Sequence, residues 1–164
     1  MTPQRLAALF AQHWPNAHRN GMVERIEELV FHPIQGFMRG FIDMVIEHDG
    51  KYYLFDWKTN YLGNLYADYA PERLRTTMQE LHYTLQYALY TVALHKYLSQ
   101  HVPEYSYERC FGGVFYLFVR GMTPELPGNG IFYDMPPQSF IEAFAKLTEV
   151  NLSVPESGYN KAIS

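Results

Sequence analysis

The chain has 164 residues, of which 48% are hydrophobic and 16% aromatic. That length supports one domain with a real core, and the composition excludes an intrinsically disordered chain. The net charge of −4 comes with no long basic run, so bulk charge does not advertise a nucleic-acid partner. The one cysteine, Cys110, excludes an intramolecular disulfide framework and any four-cysteine metal or iron–sulfur site, and points to a reducing, cytoplasmic setting. No stretch approaches the length of a membrane-spanning apolar run, and no signal-peptide pattern is visible.

Thr2-Pro3 followed by Leu6, Leu9 and Phe10 predicts a short helix with a capping Thr and Pro at its first position; Pro15 ends it. Met22 to Phe31 alternates between apolar and polar residues and predicts a strand with one wetter face, broken by His32-Pro33. Two apolar runs, Phe37 to Glu47 and Lys51 to Trp57, flank His48-Asp49-Gly50 and predict a β-hairpin. A loop containing Gly63 follows. From Pro71 to Ser99 the spacing predicts one long helix with a looser first segment before Met78. Leu81, Leu85, Leu89 and Val92 fall at helical intervals, as do Tyr83, Tyr87 and Tyr90. Val102 to Tyr107 reads as a loop or turn, and Phe111 to Arg120 as a buried strand. After a loop from Gly121, Ile131 to Asp134 reads as a short strand. Pro136-Pro137 opens a last helix with Phe140, Ile141, Phe144 and Leu147 on one face. The order predicts an α/β fold, a mixed central sheet flanked by helices, in one domain over residues 1–151 with a flexible tail over 152–164.

The hairpin carries the chemistry. With Asp49 and Gly50 as the turn, His48 pairs with Lys51, and counting back from that pair sets Asp43 opposite Asp56. Cβ atoms of such a pair lie roughly 4.5–5.5 Å apart, and like charges there are destabilising unless a cation intervenes. Lys58 lies two residues beyond Asp56 and shares its face. Strand Asp and Lys residues usually mark a solvated face, and Lys58 alone could neutralise one carboxylate. The neighbours argue otherwise. Asp43 shares its face with Phe41 and Val45, and Asp56 with Tyr52 and Leu54. The other face carries Met44, Ile46, Tyr53 and Phe55. Strands apolar on both faces are expected to be central and covered on both sides. A carboxylate there needs a metal or a tight ion network. A one-residue register slip would undo the pairing.

Asp43, followed thirteen positions on by Asp56-Trp57-Lys58, resembles the signature of the PD-(D/E)xK nuclease superfamily. Gln86, with Tyr90 four positions on, resembles the additional motif of its RecB-type branch. The segments GFIDMVIEHDGKYYLFDWKTNYLG, LQYALYTVALHKYL and FGGVFYLFVRG carry the resemblance, in that order, over roughly residues 34–150. It implies a restriction-endonuclease-like core and an exodeoxyribonuclease V type activity. That activity hydrolyses phosphodiester bonds of DNA, chiefly single-stranded, in double-strand-break repair and recombination. It implies Mg²⁺, with Ca²⁺ or Mn²⁺ as substitutes, held by Asp43, Asp56 and the Trp57 backbone carbonyl. Lys58 would act on the attacking water and the transition state, with Gln86 and Tyr90 in support. RecC and RecD subunits and RecA are the implied partners.

The sequence departs from the family in two places. It has no helicase motor and no phosphate-binding GxxxxGK[ST], so the resemblance implies an N-terminally truncated nuclease domain. The family's metal-ligating His, in a GTFLH-like context ahead of the first strand, is missing; His13, His18 and His32 are the upstream histidines. The expected result is a domain that folds but cleaves weakly. The competing reading is a non-catalytic docking module for RecA or RecC, which needs no divalent ion. Related nucleases with an iron–sulfur cluster are opposed by the lone Cys110. Outside this set, His82 and His95 read as packing or surface residues, and Arg73 and Arg75 as a solvated helix end. Tyr66 and Tyr69 read as candidates for stacking on bases.

Overall fold

The computed structural model describes residues 2–15, 21–29 and 40–149. Helix α1 (Pro3–His13) starts as its sequence dictates: the Thr2 hydroxyl accepts the Arg5 N–H at 3.3 Å, and Leu6, Ala7 and Phe10 are buried. The segment expected as a strand is instead a short helix, α2 (Met22–Glu27). Its apolar residues Met22, Val23 and Ile26 fit the 3.6 period as well as alternation, and all three bury against the core. Residues 30 and 31 of that expected strand, and the expected tail over 152–164, lie outside the described residues.

The hairpin is β1 (Met44–His48) and β2 (Lys51–Lys58), with the register running from His48↔Lys51 back to Met44↔Phe55 as expected. Asp49 and Gly50 both take positive φ, 51° and 72°, the two-residue turn whose twist matches the strands. The Glu47 carboxylate accepts the Gly50 N–H at 3.0 Å and fixes the turn further. The first strand is shorter than the apolar run that predicted it.

Strands β3 (Phe111–Phe118) and β4 (Ile131–Asp134) complete a four-stranded sheet in the order β1-β2-β3-β4. β2 and β3 run parallel and the outer pairs antiparallel, so the sheet is mixed, as the sequence predicts. The parallel pair requires a crossover. Helices α3 (Pro71–Glu80) and α4 (Tyr83–His101) supply it, and a short α5 (Tyr107–Cys110) leads into β3. The expected single helix is therefore two. The break falls at Leu81 and His82, where His82 adopts φ 56°, and not before Met78. Leu81 is exposed, so its helical spacing from Leu85 crosses the break and does not mark a continuous buried face.

One face of the sheet holds Leu54, Val114, Tyr116 and Phe118, all fully buried. Over this core lie α4, α1 and α6 (Gln138–Glu149), locked by aromatic contacts such as Phe10–Phe140 at 4.5 Å and Tyr87–Tyr116 at 5.8 Å. The other face is not covered as expected. Tyr53, Phe55 and Phe115 are half-buried, while Ile46, Trp57 and Tyr133 are exposed. Among the described residues β1 is an edge strand, not a central one, and its residues from Val45 to His48 are exposed.

The loop after β2 is pinned by Tyr69. Its hydroxyl accepts the Leu62 N–H at 3.1 Å and donates to the Asn60 carbonyl at 3.4 Å. Its Cβ and ring lie where a side chain on Gly121 would stand. Tyr69 is thus a buried structural residue and not a surface for bases; Tyr66 is exposed. Among the described residues no helix is long and apolar enough to cross a membrane.

Two glycine variants test this account. Gly50→Ala meets no atom within 4 Å but must adopt a left-handed conformation, costing about 1–2 kcal/mol. Gly121→Ala drives a methyl into the buried Tyr69 side chain, and urea denaturation should find it the more destabilised of the two.

Candidate active site

Asp56 sits one turn of the pleat below Lys58 on β2, paired across the parallel ladder with Tyr116. Its side chain is 5% exposed and that of Lys58 is 11% exposed. The Lys58 ammonium approaches Asp56 Oδ1 at 2.5 Å. Asp43 precedes β1 by one residue and is exposed. Continuing the ladder past Met44↔Phe55 sets it across from Asp56, and its Oδ2 accepts the Trp57 N–H at 2.9 Å. The N–H and C=O of a strand residue point to the same side, since an opposed pair exchanges both bonds. The Trp57 carbonyl therefore points to the edge where the Asp43 carboxylate stands.

Helix α4 delivers the second half of the site. Gln86 Oε1 accepts from Lys58 Nζ at 3.0 Å and from the Tyr116 hydroxyl at 3.0 Å. Gln86 Nε2 donates to the Tyr90 hydroxyl at 3.2 Å. The amide is thereby oriented, its oxygen toward two donors and its nitrogen away. Tyr90 in turn packs on Gly40, where a Cβ would lie 2.9 Å from the ring. Tyr83 and Tyr116 present their ring faces to Lys58, with Nζ 4.1 Å and 4.9 Å from the two centroids.

The electrostatics follow from burial. Desolvation raises the Asp56 pKa above the usual carboxylate range; the Lys58 hydrogen bond and charge pull part of it back, and the Asp43 charge adds to the rise. Burial, reinforced by the Asp56 charge, also pushes the Tyr116 hydroxyl up, so it remains a neutral donor.

Thus Asp43, Asp56, Trp57, Lys58, Gln86 and Tyr90 gather at one end of β2, although they come from the segment ahead of β1, from β2 and from α4. The described histidines do not join them. His13 lines a cleft between α1 and α6 with Arg5, Leu9 and Lys146. His18 and His32 lie outside the described residues. Among the described residues no group of three or more His, Cys, Asp and Glu could hold a metal. His82 is exposed at the helix break, and His95 packs against Tyr105 and Tyr107, both rings at 5.7 Å. Arg73 is exposed, and Arg75 reaches Glu72 at 3.7 Å on the same helix. Sequence reasoning missed Tyr83, Tyr116 and Asn60. Tyr83 was visible only as one member of a helical tyrosine row, and Tyr116 only as part of an apolar strand.

The model of the PD-(D/E)XK nuclease superfamily matches residues 2–155, and the chain belongs to that superfamily. Its mixed sheet with flanking helices is the restriction-endonuclease-like α/β fold. The RecBCD enzyme subunit RecB of Haemophilus influenzae is 55% identical over 115 residues, 70% of this chain. The RecB subunits of Escherichia coli and of Buchnera aphidicola subsp. Baizongia pistaciae are 44% identical over 73% of the chain and 38% identical over 90% of it. The chain spans 9%, 10% and 12% of the lengths of these relatives. It is a RecB-type member of this superfamily, and nucleases of the superfamily generally use divalent metal ions.

The donors at the site fit such an ion. Two carboxylates and a backbone carbonyl are hard oxygen ligands, the set that suits a cation keeping several of its waters.

Removing the lysine exposes the cost of the buried acid. In chelator, Lys58→Ala should lose about 3 kcal/mol of stability at neutral pH, because a buried charge is left without its partner. Burial holds the Asp56 pKa above its ordinary value of 3.8, and loss of Lys58 raises it further, so the deficit shrinks as pH falls through the range above 3.8, since a protonated carboxyl needs no counter-ion. Urea titrations of both proteins across that range read the effect.

Proposed function

We propose that this chain is a Mg²⁺-dependent phosphodiester hydrolase of the exodeoxyribonuclease V type, acting chiefly on single-stranded DNA. The observation that carries the reading is the convergence of Asp43, Asp56, the Trp57 backbone and Lys58 at one end of β2. Asp43, Asp56 and the Trp57 carbonyl would hold the cation. When bound, the cation lowers the pKa of a coordinated water and offsets charge on the scissile phosphate.

The protein groups account for the rest. Two carboxylates and one ammonium leave the site with one net negative charge, which repels a phosphodiester; a divalent ion inverts that sign. Asp56 must be ionised to serve, and its burial together with Asp43 makes ionisation costly until a cation arrives. Lys58 is a donor held at the strand end, placed to orient the attacking water and to stabilise charge on the phosphoryl oxygens. Gln86 aims it, and Tyr90 holds the Gln86 amide.

The curated relatives are named as subunits of the RecBCD enzyme. By that likeness we propose the same setting here: assembly with RecC and RecD, DNA strands as substrate in double-strand-break repair and recombination, and a RecA contact. The long-range field of a chain with net charge −4 disfavours DNA, more so at low salt. Binding of the strand is then the task of the partner subunits.

The test is digestion of labelled single-stranded DNA by the 164-residue chain in millimolar Mg²⁺. Slow cleavage is expected, abolished by chelator and by Asp56→Ala. Lys58→Ala should lower kcat on the order of 10²–10⁴-fold with DNA affinity little changed. Cleavage that survives Asp56→Ala undiminished would overturn the assignment.

A further inference from the structure

Lysine is a flexible side chain with a compact charge, and a single ion pair seldom fixes it. Among the described residues Lys58 Nζ meets two oxygens and two ring faces. The oxygens are Asp56 Oδ1 at 2.5 Å and Gln86 Oε1 at 3.0 Å. The ring faces are Tyr83 at 4.1 Å and Tyr116 at 4.9 Å, both inside the range of cation–π attraction. We infer that Tyr83 and Tyr116 form an aromatic cage that holds the Lys58 ammonium in place independently of Asp56, and so act as positioning residues for it. The inference deepens the proposed nuclease reading and rests on the role given there to Lys58.

The cage is itself held. Tyr116 is fully buried on β3, and its hydroxyl donates to the same Gln86 oxygen that Lys58 uses. Tyr83 starts α4 directly after the left-handed residue His82, and its hydroxyl donates to Asn60 Oδ1 at 3.1 Å. Asn60 lies two residues beyond Lys58. The helix that carries Gln86 is thereby tied to the strand end that carries Lys58. The two rings meet at a centroid distance of 5.7 Å, tilted by 40°, so they wall off adjacent sides of the ammonium.

The arrangement solves a specific difficulty. Asp56 serves both as the counter-ion of Lys58 and as a proposed ligand of the cation. A lysine held by Asp56 alone would lose its anchor whenever that carboxylate turned to another cation. With Gln86 and two ring faces remaining, Nζ keeps its place while the carboxylate changes partner. Plain packing of two tyrosines predicts nothing about where Nζ sits once Asp56 is discharged.

The experiment is NMR of the whole chain with ¹³C- and ¹⁵N-labelled lysine, recorded without metal or DNA. Lys58 signals are assigned by their loss in Lys58→Arg. The Lys58 ε-protons should resonate upfield of the other lysines, shifted by the ring currents of Tyr83 and Tyr116. In Asp56→Asn they should stay upfield. In Tyr83→Leu they should move toward the values of solvent-exposed lysines, and in Tyr83→Phe they should return, since the ring is restored without the hydroxyl. Lys58 signals that move to exposed values in Asp56→Asn, or that ignore Tyr83→Leu, overturn the cage. Should Tyr83→Leu fail to fold, the comparison of Asp56→Asn with the unmodified chain still decides. The nuclease reading stands or falls separately. Digestion with an uncaged Lys58 removes the cage alone, and a caged Lys58 without digestion removes the nuclease reading alone.

Discussion

The ion pair of Asp56 with Lys58 is the constraint around which the rest of this structure is arranged. A carboxylate on a central strand under a helix is costly when charged and unpaired. Asp56 is in that position, 3% exposed, and its pKa rises because water has been taken from it. Lys58 brings the compensating charge from two residues along the same strand, which is the nearest same-face position a strand offers. An ammonium in that place needs its own hydrogen-bond acceptors. Gln86 is one, and Tyr116 and Tyr83 supply π-faces in place of water.

That requirement explains the topology around the site. β2 and β3 lie side by side and parallel, so Tyr116 pairs with Asp56 and points to the same face. The crossover needed to make them parallel is α3 and α4, and α4 lies over that face with Tyr83, Gln86, Tyr87 and Tyr90 spaced along it. The break at His82 sets where α4 begins, and hence where Tyr83 stands relative to Lys58. The loop from Asn60 to Ala70 closes the arrangement, tied to α4 through Asn60 and to the end of β3 through Tyr69 and Gly121.

Much of this was legible in the sequence, for reasons that are themselves physical. The Asp49-Gly50 turn has one dominant geometry, and that geometry sets the register linking Asp43 to Asp56. The Thr2 cap and the Pro3 start were equally local. What failed was non-local or too short to resolve. Met22 to Glu27 is six residues, a length at which helical and alternating patterns coincide. The Leu81 break depends on His82 taking a left-handed conformation that no residue type announces. The half-exposed second face of the sheet was misread because Tyr53, Phe55 and Ile46 look identical in sequence whether something covers them or not. Tyr69 looked like a loop aromatic because only the fold brings Gly121 beneath it.

Asp134 makes a contrast with Asp56, the acid proposed for the chemistry. Both lie on the face beneath α4, and both have a partner at 2.5 Å. The partner of Asp134 is the hydroxyl of Tyr87, fully buried and with its pKa raised by burial first and by Asp134 second, so it stays a neutral donor. The second Asp134 oxygen takes the Met135 N–H at 2.8 Å. An acid satisfied by neutral, fixed donors has no cation to exchange and no reason to change partner. Asp56 is neutralised by a positive charge instead, next to a second carboxylate that a divalent ion would share on the proposed reading. On the proposed reading the ammonium would yield its carboxylate to such an ion and stay within reach, held by Gln86 and the two rings. Two carboxylates thus lie on one tyrosine-lined face, and the kind of counter-group, charged for Asp56 and neutral for Asp134, sets them apart.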